Sequence, residues 1–354
     1  MTMDLRDHML SRIRDHGPMR IDEYMTTCLL HPTLGYYTTR DPLGSGGDFV
    51  TAPEISQMFG ELVGLALAQT WLDHGAPAPF TLAELGPGRG TLMADALRAC
   101  RGVPGFLAAA RIVLVEASPV LRDLQAKALS GTDPQWVSQA DDLPDQPLYL
   151  IANEFFDALP IRQFVRAGTQ WRERQVGAEN DTLVFGLAPA QPQPMLESRF
   201  ADAAEGTLVE SCAAAAPVAE AVGSRIAARG GAALIIDYGD WRPRGDSLQA
   251  VQRHRKVDPL ATPGAADLTA HVDFGALAQA AGCAHSSPTP QGVFLERLGI
   301  TRRAEALARQ LTGPALTSHI AAHRRLTHPE EMGNLFRVMA LYHNGSAAPP
   351  GLDP

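Results

Sequence analysis

The chain has 354 residues, of which 45% are hydrophobic and 19% charged, a composition typical of a globular protein that can bury a sizeable core. This length fits one core domain with a large insertion or a second lobe. The formal net charge of −9 argues against a general nucleic-acid-binding protein, because phosphate contacts need concentrated positive charge, and it slightly favours a cationic substrate.

The four cysteines are far apart in the chain and form no C-x-x-C pair. This spacing predicts neither a disulfide framework nor a metal site, and it favours a reducing compartment. No segment reaches the ~18 consecutive apolar residues of a membrane-spanning helix, so no membrane insertion is expected. The first 20 residues mix Asp4, Asp7 and Asp15 with basic residues, unlike a signal or transit peptide, which predicts a cytoplasmic protein.

Residues 1–75 are predicted to form a helical region that carries a glycine-rich loop. Amphipathic helices are expected within 3–29 and over 54–73. In the loop between them, Gly47 allows close backbone approach and Asp48 can bind an ammonium group. Thr51 and Pro53 suit the start of the following helix. Helix capping alone would not explain Gly47 and Asp48, so the loop is predicted to bind a cofactor through all four residues. For Thr51 and Pro53, helix capping is the alternative.

Residues 76–160 are predicted to be the first half of the core, beginning with a strand at 80–85, a glycine-rich turn and a helix. The glycines Gly86, Gly88 and Gly90 fall at every second position, with Glu84 two residues before the first. A dinucleotide-binding loop needs the different spacing G-x-G-x-x-G, which disfavours a dinucleotide oxidoreductase. The pattern E-x-G-x-G-x-G resembles the nucleotide loop of class I S-adenosylmethionine (SAM) methyltransferases. An ordinary tight turn is the alternative.

Acidic residues follow the next predicted strands. Glu116 ends the strand 111–116, where a carboxylate can accept hydrogen bonds from both hydroxyl groups of a cofactor ribose. Asp141 and Asp142 precede the strand 148–153 and could accept a hydrogen bond from the amino group of an adenine. A solvated glutamate at a strand end and a solvated turn are the alternatives for these two positions.

The strand 148–153 ends in an unusual segment, Asn153-Glu154-Phe155-Phe156-Asp157. Ligands of open α/β sheets bind beyond the carboxyl ends of the strands, so this segment is expected to face the transferable methyl group. If the acceptor is a guanidinium, carboxylates must hold it. Glu154 and Asp157 are therefore predicted to form a clamp beside Asn153, walled by Phe155 and Phe156. A helix cap at Asp157 with buried phenylalanines is the alternative.

Strands at 80–85, 111–116, 148–153 and 232–237 with intervening helices predict an α/β fold with a doubly wound, mostly parallel sheet. Residues 161–230 are expected to be an inserted antiparallel β element with a return helix. Residues 231–345 would complete the core and add C-terminal helices. Asp237 and Tyr238 end the last parallel strand and are predicted to shape the substrate pocket. A long basic loop is expected after Asp237, and composition predicts a disordered tail over 346–354.

Five strings together resemble the MidA-like family, in order and over about residues 10–345. They are Gly47-Asp48-Phe49-x-Thr51-x-Pro53-Glu54, Glu84-x-Gly86-Pro87-Gly88-x-Gly90, residues 153–160, Ile236-Asp237-Tyr238-Gly239, and residues 267–274. The resemblance implies a SAM-dependent protein arginine methyltransferase, since mitochondrial members are complex I assembly factors that methylate an arginine of a core subunit. The absence of a mitochondrial presequence suggests a bacterial relative, for which the substrate need not be the same.

Two other functions remain open from the sequence. A methyltransferase could act on a small molecule or a carboxylate, although the long insertion favours a protein substrate. A SAM-binding assembly chaperone without turnover would belong to a different class of protein. Neither the acceptor residue nor the oligomeric state follows from the sequence.

Overall fold

The computed structural model describes residues 4–39 and 51–354. They form two compact units, and each unit is assembled from stretches that are far apart in the chain. The first contains the described residues up to 39 with 157–215 and 242–271. The second contains the described residues from 51 to 156, with 216–241 and 272–354. Among the described residues, no helix combines the length and the apolar character needed to cross a membrane.

The second unit is built on a nine-stranded sheet. The main order of its strands is Ala284–His285, Phe336–Tyr342, Gly231–Asp240, Leu148–Asn153, Phe80–Leu85, Ala110–Val115 and Gln135–Val137. The last five of these run parallel, whereas Phe336–Tyr342 is antiparallel to its neighbours. The short strands Val272–Asp273 and Thr289–Pro290 pair with Gly231–Asp240 and Phe336–Tyr342, respectively.

The central parallel strands are buried on both faces because helices cover the sheet. Every residue of Phe80–Leu85 and Leu148–Asn153 is buried. From Phe80–Leu85 the chain first adds Ala110–Val115 on one side and later Leu148–Asn153 on the other. The strand order therefore reverses between Phe80–Leu85 and Leu148–Asn153, the place where open α/β sheets bind ligands.

The helices of the second unit pack on this sheet or on one another. They are Ala52–Ile55, Gln57–Asp73, Thr91–Cys100, Phe106–Ala109, Pro119–Ala128, Ala215–Arg229, Phe274–Ala281, Gln291–Arg297, Ile300–Ala308, Gly313–Thr327 and Met332–Leu335, with a 3₁₀ turn at Ala140–Asp142. The single helix predicted over 54–73 is interrupted at Ser56, which is extended and accepts a hydrogen bond from the Met58 amide at 3.2 Å.

The first unit contains the predicted inserted antiparallel element, which is confirmed. Its five-stranded sheet has the order Met19–Arg20, Gln170–Glu179, Arg162–Ala167 and Leu208–Ser211, with Thr182–Leu187 also paired to Gln170–Glu179. A second sheet has the order Arg255–Val257, Gln249–Gln252 and Asp267–Thr269. The helices of this unit are Leu5–His16, Ile21–Leu30, Tyr36–Thr39 and Pro194–Phe200.

Two sequence expectations are corrected here. The long loop expected after Asp237 contains the three-stranded sheet, and Arg253 and His254 form the left-handed turn of its hairpin. The tail over 346–354, expected to be disordered, packs on the second unit: Leu352 is 8% exposed, and the Ser287 amide donates to the Asp353 carbonyl. One apolar side chain among prolines and small residues is a weak compositional signal, yet its burial fixes the segment.

Candidate active site

Four parallel strands of the second unit bring the predicted site residues to one edge of the sheet. The carboxyl ends of Phe80–Leu85, Ala110–Val115, Leu148–Asn153 and the middle of Gly231–Asp240 meet there. Gly86, Glu116, Glu154 and Asp237 follow or end these parallel pairings. Acidic side chains therefore gather at this edge, because side chains at the ends of adjacent parallel strands are neighbours.

The glycine loop lies directly against the segment that follows Asn153. Gly86, Gly88 and Gly90 have φ angles of 57°, 54° and 83°, in the left-handed region that favours glycine. A Cβ atom at Gly86 would lie 2.9 Å from Cδ2 of Phe155. Gly90 is the N-cap of the helix Thr91–Cys100. The loop thus presents bare backbone at a helix N-terminus, as a cradle for a ligand requires.

Glu116 is held in a fixed orientation at the end of its strand. Its side chain is 9% exposed and accepts hydrogen bonds from the Ser118 amide at 2.8 Å and from Nε2 of Gln125 at 3.2 Å. Burial raises the pKa of Glu116, and these hydrogen bonds act in the opposite direction. A carboxylate positioned in this way can accept hydrogen bonds from ribose hydroxyls.

Gln125 is a site residue that the sequence did not indicate. It is fully buried, and its Nε2 atom also donates to the Gly88 carbonyl at 2.8 Å. Its Oε1 atom accepts from Nε1 of Trp136 at 2.8 Å. Gln125 therefore joins the glycine loop to Glu116. A glutamine within the amphipathic helix Pro119–Ala128 carries no local signal that separates it from a solvated one.

Glu84 lies inside its strand rather than at the strand end. The side chain is 3% exposed, and Oε2 has no hydrogen-bond partner among the described residues. Burial raises its pKa to about 8, although the backbone N–H of Met93 lowers it. An unpartnered buried carboxyl oxygen below the glycine loop is a group that a cofactor ammonium could satisfy.

Glu154 has a backbone conformation that is rare for a side chain of its size. Its φ angle is 51°, and its amide donates to the Ile236 carbonyl at 2.9 Å. Its Oε1 atom accepts from Nδ2 of Asn153 at 3.2 Å and from the Ala52 amide at 3.4 Å. Burial raises the pKa of Glu154 to about 7. A strained backbone and a shifted pKa, at the place where the strand order reverses, are typical of a functional residue.

Asn153 has an unfilled polar atom beside Glu154. The residue is 9% exposed, and its Oδ1 atom is buried without a hydrogen-bond partner among the described residues. Buried polar atoms are nearly always paired, so an unpaired acceptor next to a carboxylate suits a donor brought by a ligand.

Phe155, Phe156, Asp237 and Tyr238, the residues predicted to line the substrate pocket, lie at the ends of two adjacent parallel strands. The two phenylalanine rings meet edge to face, with centroids 5.1 Å apart. Asp237 is fully buried and accepts hydrogen bonds from the amides of Phe156 at 3.0 Å and Tyr238 at 2.9 Å. Asp237 thus fixes the course of both loops. Tyr238 stacks on Phe336 with centroids 4.0 Å apart.

Asp157 belongs to the first unit. It is 4% exposed, and its carbonyl accepts from the Ala270 amide at 2.9 Å. Burial raises the pKa of Tyr37 well above its usual value, and the charges of Asp267 and Asp157 raise it further. The Tyr37 hydroxyl donates to Oδ1 of Asp267 at 2.9 Å. No helix begins after Asp157 in the described segment that follows, so its alternative role as a helix cap is wrong.

The remaining predicted cofactor residues have different settings. Thr51 is the N-cap of Ala52–Ile55 with Pro53 in the first turn, but its side chain makes no capping bond to a described residue. Asp141 and Asp142 are exposed in a 3₁₀ turn. Gly47 and Asp48 lie outside the described residues. Within the described part of the chain, no group of three or more His, Cys, Asp or Glu side chains could hold a metal ion.

The architecture and the glycine cradle define a class I methyltransferase fold. Residues 62–291 match the family described as "Putative S-adenosyl-L-methionine-dependent methyltransferase", and the chain belongs to this family. Its cofactor is SAM, and the glycine backbone, the orphan oxygen of Glu84 and the oriented Glu116 fit that molecule.

Several relatives are similar over nearly the whole chain. The "Protein arginine methyltransferase NDUFAF7, mitochondrial" of Danio rerio is 36% identical over 96% of this chain and 87% of its own length. The Homo sapiens protein of the same name is 35% identical over 94% of this chain and 82% of its own. A solved structure of a "likely methyl transferase" from Burkholderia thailandensis, bound to S-adenosyl-homocysteine, superimposes with a TM-score of 0.82. It is 29% identical and covers 98% of this chain and 93% of its own.

Proposed function

We propose that this enzyme transfers a methyl group to a guanidinium nitrogen of an arginine in a protein substrate. The names of the Danio rerio and Homo sapiens relatives support an arginine acceptor. The acidic composition of the site supports a cationic one, because an arginine side chain stays protonated in water and is held best by carboxylates.

The environment of the Glu154 carboxylate is the observation that carries this proposal. Its pKa of about 7 lets it exist as a carboxylate that is also basic enough to accept a proton. Its Oε1 atom accepts hydrogen bonds from Asn153 and Ala52, and these two bonds orient the carboxylate. The unpaired Oδ1 of Asn153 offers a second acceptor for a guanidinium N–H.

The division of labour follows from these groups. SAM, when bound, supplies an electrophilic methyl group on a sulfonium. The guanidinium nitrogen forms the new N–C bond as the S–C bond breaks, and the electron pair of that bond stays on sulfur. Glu154 takes up the proton that the nitrogen loses. Gly86, Gly88, Gly90, Glu84 and Glu116 orient the cofactor. Phe155 and Phe156 exclude water from the reacting atoms.

Other predicted residues have supporting roles in this proposal. Gly47, Asp48, Thr51 and Pro53 would contribute to cofactor binding, and Asp141 and Asp142 would accept a hydrogen bond from the adenine amino group. As the family resemblance implies, a core subunit of respiratory complex I, or a similar protein, is the candidate substrate. The cytoplasm of a bacterium remains the predicted location.

Calorimetric titration followed by label transfer tests the proposal. The purified enzyme should bind SAM saturably and NADH not at all, and Gly88→Val should remove SAM binding. Labelled methyl groups from SAM should then appear on arginine in a lysate protein. Methylation of a small molecule or a carboxylate would replace the proposal with the alternative enzyme, and SAM binding without any transfer would leave the assembly chaperone.

The variant Glu154→Gln separates the substrate role from a cofactor role. It keeps the size of the side chain and removes the base, so transfer should fall by roughly 10²–10⁴-fold while SAM affinity changes by a few-fold at most. Glu220→Gln, at an exposed position, is the matched control and should leave both unchanged. Equal loss of SAM binding and transfer in Glu154→Gln would assign Glu154 to the cofactor.

A further inference from the structure

A basic helical hairpin, residues 299–328, stands out against the acidic chain. It consists of the helices Ile300–Ala308 and Gly313–Thr327, which pack on each other. The segment contains five arginines and three histidines but one acidic residue, Glu305, whereas the whole chain has a net charge of −9. A local reversal of sign of this kind marks a surface that attracts negative charge.

Two of the arginines are neutralised within the fold. Arg303 makes a bidentate contact with buried Glu61, at 2.8 and 3.1 Å, and Arg324 contacts Glu331 at 2.9 Å. The others are exposed and have neither a hydrogen bond nor an ion pair to any described residue; they are Arg302, Arg309 and Arg325. Within the described part of the chain, no side chain neutralises these three charges.

Within the second unit, the basic hairpin lies near Glu154. Its helix Gly313–Thr327 packs against Ala52–Ile55, and the Ala52 amide donates to the Glu154 carboxylate at 3.4 Å. Burial raises the pKa of Glu154, and the charge of Arg325 is among the influences that lower it. The field of the hairpin thus reaches the group proposed to hold the acceptor.

The hairpin also carries an exposed apolar side chain but no base-stacking platform. Ile320 is 58% exposed on the same helix as Arg325. Residues 299–328 contain no Phe, Trp or Tyr, the side chains on which nucleic-acid bases stack. Three arginines without an ionic partner among the described residues, together with an exposed isoleucine, suit a protein segment better than a nucleic acid.

We propose that the basic hairpin docks an acidic segment of the protein substrate that adjoins the methylated arginine. The inference rests on the proposed function and adds a substrate preference to it: an arginine with acidic neighbours is selected over one in a uniformly basic sequence. The hairpin repels a uniformly basic segment, so its charge discriminates between substrates as well as attracting one.

Peptide binding to the enzyme loaded with S-adenosyl-homocysteine tests the inference directly. Two fluorescent peptides would each contain one arginine, with neighbouring Asp and Glu in the first replaced by Asn and Gln in the second. The acidic peptide should bind roughly tenfold more tightly at low ionic strength, since two or three exposed ion pairs are worth this much. The difference should shrink in high salt.

The double variant Arg302→Glu, Arg309→Glu should abolish or invert the preference while SAM affinity stays the same. Arg325 is left intact because its charge acts on Glu154. The matched control Arg255→Glu, Lys256→Glu makes the same charge change at exposed positions of the first unit, and should keep the preference.

Equal binding of the two peptides, or a preference that survives in the Arg302, Arg309 variant, would overturn the inference. So would tighter binding of a single-stranded oligonucleotide of equal charge. Methyl transfer to the same peptides is measured in parallel. A retained binding preference without transfer to arginine would overturn the proposed acceptor and support the docking surface.

Discussion

Three glutamates near the carboxyl ends of the parallel strands have three different environments. Glu84 is buried with an unpaired oxygen, Glu116 is oriented by two donors, and Glu154 has a left-handed backbone beside Asn153. Burial raises the pKa of each of them. In the proposed mechanism, these surroundings decide which glutamate holds a proton, which accepts hydrogen bonds from ribose and which acts as a base.

The substitution Gln125→Met tests whether Gln125 orients the Glu116 carboxylate, which is predicted to bind the ribose of the cofactor. Methionine keeps the length of the side chain but removes the bonds to Gly88, Glu116 and Trp136. We expect affinity for S-adenosyl-homocysteine to fall roughly tenfold, as for one or two lost buried hydrogen bonds. Calorimetry with the 2′-deoxy analogue gives the critical comparison: the wild type should discriminate against it, and the variant should not.

A merely structural role for Gln125 would weaken both ligands by the same factor and leave that discrimination intact. Gln69→Met is the matched control, because Gln69 is an exposed helical residue that contacts Asp73.

The substitution Glu84→Gln tests the burial of a carboxyl group under the glycine loop. The pKa of Glu84 is about 8 in the folded protein, against an ordinary value of 4.5. The folded state therefore binds a proton that the unfolded state has lost, and stability falls as the pH rises between these values. Linkage sets an upper limit of roughly 5 kcal/mol on this loss.

Urea unfolding at about pH 5 and about pH 8 measures this effect. Glutamine does not titrate, so the difference in unfolding free energy between wild type and Glu84→Gln should change with pH by several kcal/mol. A difference that is independent of pH would show that Glu84 is ionised in the fold. The exposed variant Glu220→Gln should show no such trend.

At the scale of elements, the glycine loop and the segment 153–157 pack closely against each other. Gly86 and Gly168 have nearly identical φ angles, 57° and 58°, but different surroundings. A Cβ atom at Gly86 meets the Phe155 ring at 2.9 Å, whereas a Cβ atom at Gly168 meets nothing within 4 Å. The pair separates backbone strain from the contact between the loops.

We expect Gly168→Ala to cost about 1 kcal/mol of backbone strain and Gly86→Ala to cost the same strain plus a clash. Thermal unfolding and SAM titration measure the two consequences. The double variant Gly86→Ala, Phe155→Leu should recover part of the loss, because the smaller side chain vacates the position of the ring edge. Equal costs at Gly86 and Gly168 without rescue would contradict a close contact between the loops.

At the scale of the whole molecule, each unit depends on parts of the chain that are remote in sequence. The core of the second unit combines Phe80 and Tyr149 with Phe336 and, near the end of the chain, Leu352. The insertion and the described N-terminal helices share another core, which includes Met9, Ile161 and Leu268. Folding of each unit therefore requires long-range contacts rather than one continuous segment.

The substitution Leu352→Ala tests the contribution of the tail to the second unit. Leu352 is 8% exposed within the core, so its truncation should lower the free energy of unfolding by about 2–4 kcal/mol. Leu335→Ala, at a position that is 49% exposed, is the control and should cost much less. Denaturant titration measures both, and equal small effects would show that the tail does not contribute to the core.

The sequence by itself determined the class of fold, and it predicted the edge of the sheet at which the site residues lie. Strand and helix periods, the spacing of Gly86, Gly88 and Gly90, and the acidic strand ends are local patterns, and neighbouring parallel strands bring such ends together. Only the tertiary structure decided that Gln125 joins Gly88 to Glu116, since 37 residues separate Gln125 from Gly88. It likewise buried Leu352 and set the basic hairpin beside Glu154, because burial and electrostatic fields arise from contacts between distant segments.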